Sequence, residues 1–226
     1  MTVTASPAVV AERLAAVQAR IAAAGGDVAA ITIVAVTKGF GADAISAATA
    51  AGLGDVGENY AQEVLAKWAA PARRDVRLHF IGRLQSNKVR QLAPLVHLWQ
   101  SVDRVSLAIE IGKRRPGAEV LIQVNVSDEP AKGGCSPALV DALVDAARDA
   151  SLDVRGIMAV GKTGPPAQTR PGFALARRTC DRLGLAVCSM GMTDDLDVAV
   201  GEGSTMVRVG SALFGMRPTA MPTELA

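Results

Sequence analysis

Ile31-Thr-Ile-Val-Ala-Val-Thr-Lys38 is a short, β-rich apolar run that ends on a lysine, and seven more such runs follow it. They start near Gly54 (GDVGEN), Leu78 (LHFIG), His97 (HLWQS), Glu119 (EVLIQVNV), Val154 (VRGIMAV), Leu185 (LAVCSM) and Met206 (MVRVG). Most of the intervals carry a helical pattern, as in 42–51, 60–69, 105–113 and 137–150. Gly52 fits the C-terminal cap of the first of these. Ser136 stands at the N-cap of the last, with Pro137 in its first turn. A further helix, 8–24, precedes the first run. Val10, Leu14, Val17 and Ile21 recur there at helical spacing, and Gly25-Gly26 stops it.

Strands that alternate with helices predict parallel pairing. Eight of them predict an α/β fold, a single (β/α)8 TIM-type barrel with an extra N-terminal helix, near the small end of that fold's size range. A doubly wound open sheet is the alternative. No composition break or long linker divides residues 1–226, so one domain is expected. The Pro- and Gly-rich stretch 164–172 reads as a mobile loop after strand six.

Half of the chain is apolar but only 3% is aromatic, so Val, Ile, Leu and Ala must fill the core. The 24 basic and 22 acidic residues leave a formal charge of +2, which argues against a nucleic-acid or anionic-membrane partner. No run of about 18 apolar residues is present, so no membrane span is expected. The chain starts without the basic and apolar segments of a signal peptide. Cys135, Cys180 and Cys188 show no paired spacing and read as free thiols in a reducing cytoplasm. With His79 and His97 they form no zinc pattern.

Gly156-Ile-Met-Ala-Val-Gly-Lys-Thr163 matches the letters of a phosphate-binding P-loop. That loop needs a flexible turn opening into a helix. Here the middle residues are an apolar strand, and Gly164-Pro165-Pro166 cannot continue a helix. A barrel strand running into a loop is the better reading.

Lys38 falls at the carboxyl mouth of the first strand, where barrels build their active sites. Desolvation by Val34 and Val36 would favour its neutral, nucleophilic amine, the form that makes a Schiff base. A lysine snorkelling to water is the plainer reading of this residue alone. A second cluster lies near the other end of the chain. Ser189-Met-Gly-Met192 closes strand seven, Gly203-Ser-Thr205 precedes strand eight, and Arg208-Val-Gly-Ser211 closes it. Barrel phosphate sites form after strands seven and eight, and glycine permits close backbone approach. Gly210, with the hydroxyls of Ser189 and Ser204, suits that role. Ordinary Gly/Ser turns are the alternative.

Across nearly its whole length the chain resembles the pyridoxal phosphate homeostasis family. The matching segments are Ala35-Val-Thr-Lys38, Gly57-Glu-Asn-Tyr-Ala-Gln-Glu63, His79-Phe-Ile-Gly-Arg-Leu-Gln-Ser-Asn-Lys88, Gln100-Ser-Val-Asp103 and Gln123-Val-Asn-Val-Ser127 with Lys132 and Gly134. They continue with Gly156-Ile-Met158, Ser189-Met-Gly-Met192, Gly203-Ser-Thr-Met-Val-Arg-Val-Gly210 and Phe214-Gly-Met-Arg217. The family is in turn similar to the barrel of fold-type III enzymes such as alanine racemase.

The resemblance implies pyridoxal 5′-phosphate (PLP) as cofactor, held as a Schiff base on Lys38. It implies Asn59 near the cofactor ring. Ser189, Gly210 and Ser211, with Thr205, would hold the phosphate. Arg208 would face the pyridine nitrogen, and Met158 and Met192 would line the pocket. Gly39, Phe40, Arg83, Gly161 and Thr193 depart from the family's usual residues, without removing a cofactor contact.

Two functions follow from that site. One is a non-catalytic carrier that holds PLP for intracellular homeostasis and passes it to PLP-dependent apo-enzymes, acting as a cytoplasmic monomer. The other is a fold-type III amino-acid racemase or decarboxylase. An arginine at the ring nitrogen weakens the electron sink that such catalysis needs, without excluding racemisation, since alanine racemase also has an arginine there. The chain is also short for the extra β-domain of related enzymes, and Tyr60 is its sole tyrosine, although a cysteine or His79 could serve as proton donor in its place and support weak activity. These features favour the carrier. A structural or RNA-associated barrel is a third reading. It rests on Asn87-Lys-Val-Arg90, which reads more simply as a solvated helix face.

Overall fold

The computed structural model describes residues 6–69 and 75–216; Arg217 lies outside them. Its strands are β1 (Thr32–Val36), β2 (Asp55–Glu58), β3 (Arg77–Phe80), β4 (Val96–Val102), β5 (Glu119–Val124), β6 (Asp153–Ala159), β7 (Val187–Ser189) and β8 (Met206–Val209). They pair in parallel in chain order and close β8 onto β1, so the open-sheet alternative falls away. Helices surround the barrel: α1 (Pro7–Ala23), α2 (Ala42–Ala50), α3 (Ala61–Lys67), α4 (Val89–Leu92), α5 (Val105–Arg114), α6 (Val140–Asp149), α7 (Arg170–Leu183), α8 (Leu196–Gly201) and α9 (Ser211–Phe214).

Side chains alternate across each strand, and this sorts them into two layers. On β1, Ile33 and Ala35 point outward and pack with Val10, Leu14, Val17 and Ile21 of α1 and the alanines of α2. Val34 points inward and meets Leu98, Leu121, Met158 and Met206 in the barrel's interior. The same parity carries Val36 and then Lys38 toward the axis at the carboxyl end. On β8 it puts Met206, Arg208 and Gly210 inside and sends Val207 and Val209 to the outer core.

Local signals account for most boundaries. Ser6 caps α1 by accepting from the Val9 amide at 3.4 Å, and Gly52 turns the chain after α2 with φ of +89°. Ser136 stands at the expected position, but its side chain makes no capping bond. The chain opens there with a 3-10 turn, Pro137–Leu139, before α6.

The stretch 164–172 is not the mobile loop expected from its prolines and glycines. It forms a 3-10 turn, Pro166–Thr169, and then the first residues of α7. Pro171 fits because first-turn amides have no acceptor within the helix. Gly172 fits because an added Cβ would lie 2.8 Å from the Val126 carbonyl oxygen. The P-loop lookalike is strand β6 through Ala159. Its terminal Thr163 is held by Glu129, which accepts from the Thr163 amide at 2.8 Å and from its hydroxyl at 2.7 Å.

All three cysteines are free and buried. Among the described residues no helix is long and apolar enough to cross a membrane, and no cluster of His, Cys, Asp and Glu could hold a metal ion.

At the amino end of the barrel, Asp55 accepts from Arg77 Nε at 2.7 Å, from Arg77 Nη2 at 2.5 Å and from His79 Nε2 at 2.9 Å. Burial alone would raise the Asp55 pKa, but the bonds from Arg77 and His79 outweigh it and hold the carboxyl far below the carboxylate range. A depressed carboxylate stabilises the fold above its unfolded pKa of about 3.9, and that contribution is lost as pH falls through the folded value. Asp55→Ala strands the buried His79 donor and should cost about 1–3 kcal/mol at neutral pH. Thermal melts should show the gap from wild type narrowing as pH drops below about 4. A gap that stays constant with pH would contradict this role.

Candidate functional site

Closure of β8 on β1 pairs Val34 with Arg208 and Ala35 with Val209. The residues that follow these pairs therefore meet at one mouth, although they lie at opposite ends of the sequence. A cavity of about 240 Å³ opens there, lined by Lys38, Met192, Arg208, Gly210 and Ser211, with Val36, Phe40 and Ile81 as apolar wall and Thr193 and Asp194 at the rim. Gly210 passes so close to β1 that an added Cβ would sit 3.2 Å from the Val36 carbonyl oxygen. The Ser211 hydroxyl donates to Thr193 Oγ1 at 3.1 Å.

The turn that carries Lys38 is clamped on both sides. Lys67 Nζ donates to the Thr37 carbonyl at 2.9 Å, to Glu58 Oε1 at 2.7 Å and to Glu63 Oε2 at 2.7 Å. The Gly39 amide donates to the same Glu63 oxygen at 2.8 Å, and Thr37 Oγ1 donates to Glu58 Oε1 at 2.6 Å. Backbone groups immediately before and after Lys38 are thus tied to one ion-paired cluster. Gly39, with φ of +76°, allows the tight turn between them. Burial raises the Glu58 pKa above its ordinary value, against the pull of Lys67 and Thr37, and its Oε2 has no hydrogen-bond partner among the described residues. The spacing of Glu63 and Lys67, four apart on α3, is the one signal in the sequence from which part of this clamp could be read.

Behind the cavity, Arg208 is 4% exposed. Its Nη1 donates to Ser189 Oγ at 2.7 Å and its Nη2 to the Ala159 carbonyl at 2.8 Å. Ser189 Oγ donates to Gln100 Oε1 at 2.7 Å. Gln100 Nε2 lies 2.7 Å from His79 Nδ1, and His79 Nε2 lies 2.9 Å from Asp55 Oδ1. With the His79 proton on Nε2, every donor along this chain points from the cavity toward Asp55. Burial pulls the Arg208 pKa down to about 10, so the guanidinium stays charged at neutral pH. It has no ion-pair partner among the described residues. The charge of the buried Asp195 opposes this burial cost only in part and without a direct ion pair, and a ligand bringing an acceptor to that wall would lower the remainder.

The structure therefore brings Lys38, Met192, Arg208, Gly210 and Ser211 to one cavity. Ser189 lies behind Arg208, its hydroxyl shared between Arg208 and Gln100. Met158 lies in the apolar interior of the barrel. Asn59 lines a neighbouring cavity and has a buried Oδ1 without a partner among the described residues. Thr205 is not brought to the mouth. It precedes β8, at the amino end, where Oγ1 accepts from the Cys188 amide at 2.8 Å. Ser204 is likewise turned away, donating to the Met190 carbonyl at 2.7 Å. Only residues on the carboxyl side of a barrel strand reach this mouth. Glu58, Glu63, Lys67, His79 and Gln100 were not singled out as site residues from the sequence.

A parallel barrel with a lysine after its first strand and an arginine on its eighth defines the class. Residues 12–218 match the family model described as the N-terminal domain of alanine racemase. Within that class the chain belongs to the pyridoxal phosphate homeostasis protein family, as the sequence resemblance implied. The Pseudomonas aeruginosa protein of that name is 43% identical, over 95% of this chain and 99% of its own length. A protein of unknown function from Bifidobacterium adolescentis superposes with a TM-score of 0.85 at 34% identity, covering 92% of this chain and 95% of its own. PipY of Synechococcus elongatus PCC7942, solved with PLP bound, superposes with a TM-score of 0.79 at 33% identity, covering 91% of this chain and all of its own.

Removing one member of a buried ion pair leaves the other charge uncompensated, at a cost of roughly 3–5 kcal/mol. Lys67→Met should therefore destabilise the fold strongly in denaturant unfolding. Adding Glu58→Gln to the same chain should recover part of the loss. Additive effects of the two substitutions would show that the clamp is not a coupled unit.

Proposed function

We propose that this chain holds PLP in the cavity of Lys38 and Arg208 and passes it on to PLP-dependent apo-enzymes, as a cytoplasmic monomer built on one barrel. The observation that carries this reading is a buried, charged Arg208, with no direct ion pair among the described residues, in the wall of the cavity that Lys38 enters. The family name of the relatives and the PLP-bound state of PipY support the choice of ligand.

When bound, PLP supplies an aldehyde that condenses with amines and a ring that withdraws electrons from a reacting carbon. Lys38 offers Nζ as the point of covalent attachment, on a turn fixed by Lys67 and Glu63. Arg208 can only donate, so the ring nitrogen it would face is held as an acceptor, without a proton. Ser189 acts through Arg208, fixing the plane of its guanidinium. Gly210 and Ser211, beside Thr193, provide close backbone approach and hydroxyls for the phosphate. Met192 covers the mouth, Asn59 borders it toward the neighbouring cavity, and Met158 supports it from the interior.

Racemases and decarboxylases need a proton donor placed against the reacting carbon. Tyr60 lines the neighbouring cavity and is 55% exposed. His79 is committed to Gln100 and Asp55, and the three cysteines are buried. These placements favour storage and transfer over turnover.

Borohydride reduction of the PLP-loaded protein followed by peptide mapping should place the adduct on Lys38, and Lys38→Ala should lose the visible absorbance. Gly210→Val should weaken PLP retention while the fold persists. Loaded protein should activate an apo-enzyme and leave individual amino acids unchanged by chiral analysis. An adduct on Lys132 or Lys162 would overturn the attachment site. Rapid racemisation or decarboxylation of one amino acid, lost in Lys38→Ala, would establish the enzyme instead.

A further inference from the structure

A second and larger cavity, about 700 Å³, opens at the same end of the barrel over β2, β3 and β4. Asn59 enters it from the end of β2, Arg83 and Lys88 from the segment after β3, and Asp103 and Arg104 from the end of β4. Its charges do not cancel. Arg104 donates to Asp103 at 2.6 Å, to the Leu84 carbonyl at 2.8 Å and to Ser86 Oγ at 3.2 Å. That pair consumes the carboxylate of the lining. Arg83 and Lys88 have no ion pair or side-chain hydrogen bond among the described residues, so the cavity keeps two uncompensated positive charges.

Their placement is built into the fold. Gly82 lies so close to β2 that an added Cβ would come within 2.0 Å of the Asn59 carbonyl oxygen, and this fixes where Arg83 emerges. The 3-10 turn Ser86–Lys88 then brings Lys88 to the cavity wall, partly buried, while Arg90 is exposed to solvent. The basic segment at 87–90 is therefore more than a solvated helix face. The remaining polar lining includes the carboxamides of Gln62, Gln85 and Asn59, and the Asn59 Oδ1 is a buried acceptor without a donor. Tyr60 and Leu84 add apolar surface.

We propose that this cavity is a second binding site, for a small organic phosphate. Arg83 offers a bidentate fork and Lys88 a point charge, the two modes by which proteins hold phosphate. Asn59 Oδ1 accepts a hydroxyl or amine of the ligand's body, which packs on Tyr60 and Leu84. The two proposed sites share Asn59, but the charges that would hold the second phosphate, Arg83 and Lys88, do not line the Lys38 cavity.

Phenyl phosphate is a suitable probe, titrated by calorimetry into the full chain after its Lys38 cavity has been loaded with PLP and reduced. Saturable binding is expected, weakened roughly tenfold or more by Arg83→Ala and by Lys88→Ala, since each removes a charged hydrogen bond. Thermal melts of both variants should match wild type, and their PLP absorbance should be unchanged. Succinate should bind much more weakly than phenyl phosphate. Absence of saturable binding at millimolar probe would overturn the proposal. So would equal affinity in the Arg83→Ala/Lys88→Ala double variant, or succinate binding as tightly as the phosphate. Because the readout is binding of a different molecule, failure here leaves the Lys38 assignment standing, and an adduct at another lysine leaves this site standing.

Discussion

A guanidinium buried in the wall of a barrel is expensive, and the interior of this protein is arranged around satisfying one. Arg208 gives two donors to Ser189 and Ala159, and the demand passes from Ser189 through Gln100 and His79 to Asp55. Each member uses its donor toward the amino end, so the order of the chain is set by the single carboxylate at its far end. Asp55 is itself fixed by Arg77. A polar layer of this kind gains from the low local dielectric only while every member is satisfied. It confers orientation: the plane of Arg208 is decided before any ligand arrives.

Lys38 is prepared by a different device. The Lys67–Glu63–Glu58 cluster holds the peptide groups on either side of it, and Gly39 allows the turn. Closing β8 on β1 then sets this turn beside Gly210 and Arg208. The cavity is thus bounded by an amine on one fixed turn and a cation on one fixed strand. An arginine can only donate, so in the proposed complex a ring atom facing it would be kept as an acceptor.

Much of this was legible in the chain. ITIVAV and MVRVG read as strands, and simple alternation from Val34 to Lys38 and from Met206 to Gly210 gives both inward faces. What was not legible is contact between residues far apart in sequence. Ser189 and Gln100 are 89 positions apart, and their bond exists only because the barrel closes with a particular stagger. Ser189 therefore read as a ligand hydroxyl rather than a support for Arg208. Thr205 and Ser204 were misplaced for a related reason. Flanking a barrel strand says nothing about reaching its mouth unless the residue lies at or beyond the strand's carboxyl end, as Val36, Arg208 and Gly210 do. The stretch at 164–172 misled because Pro and Gly are tolerated in the first turn of a helix. Lys88 read as a surface charge because only the fold shows that its turn faces a cavity.

The protonation state of the bound ring tests the account most directly. Protein loaded with PLP labelled with nitrogen-15 in the ring should give a resonance of an unprotonated pyridine nitrogen, unchanged across the neutral pH range. Ser189→Ala or Gln100→Leu should broaden or shift that signal by loosening Arg208. A protonated ring nitrogen in the wild-type complex would contradict the claim that Arg208, held by the buried chain, governs what this cavity does with its cofactor.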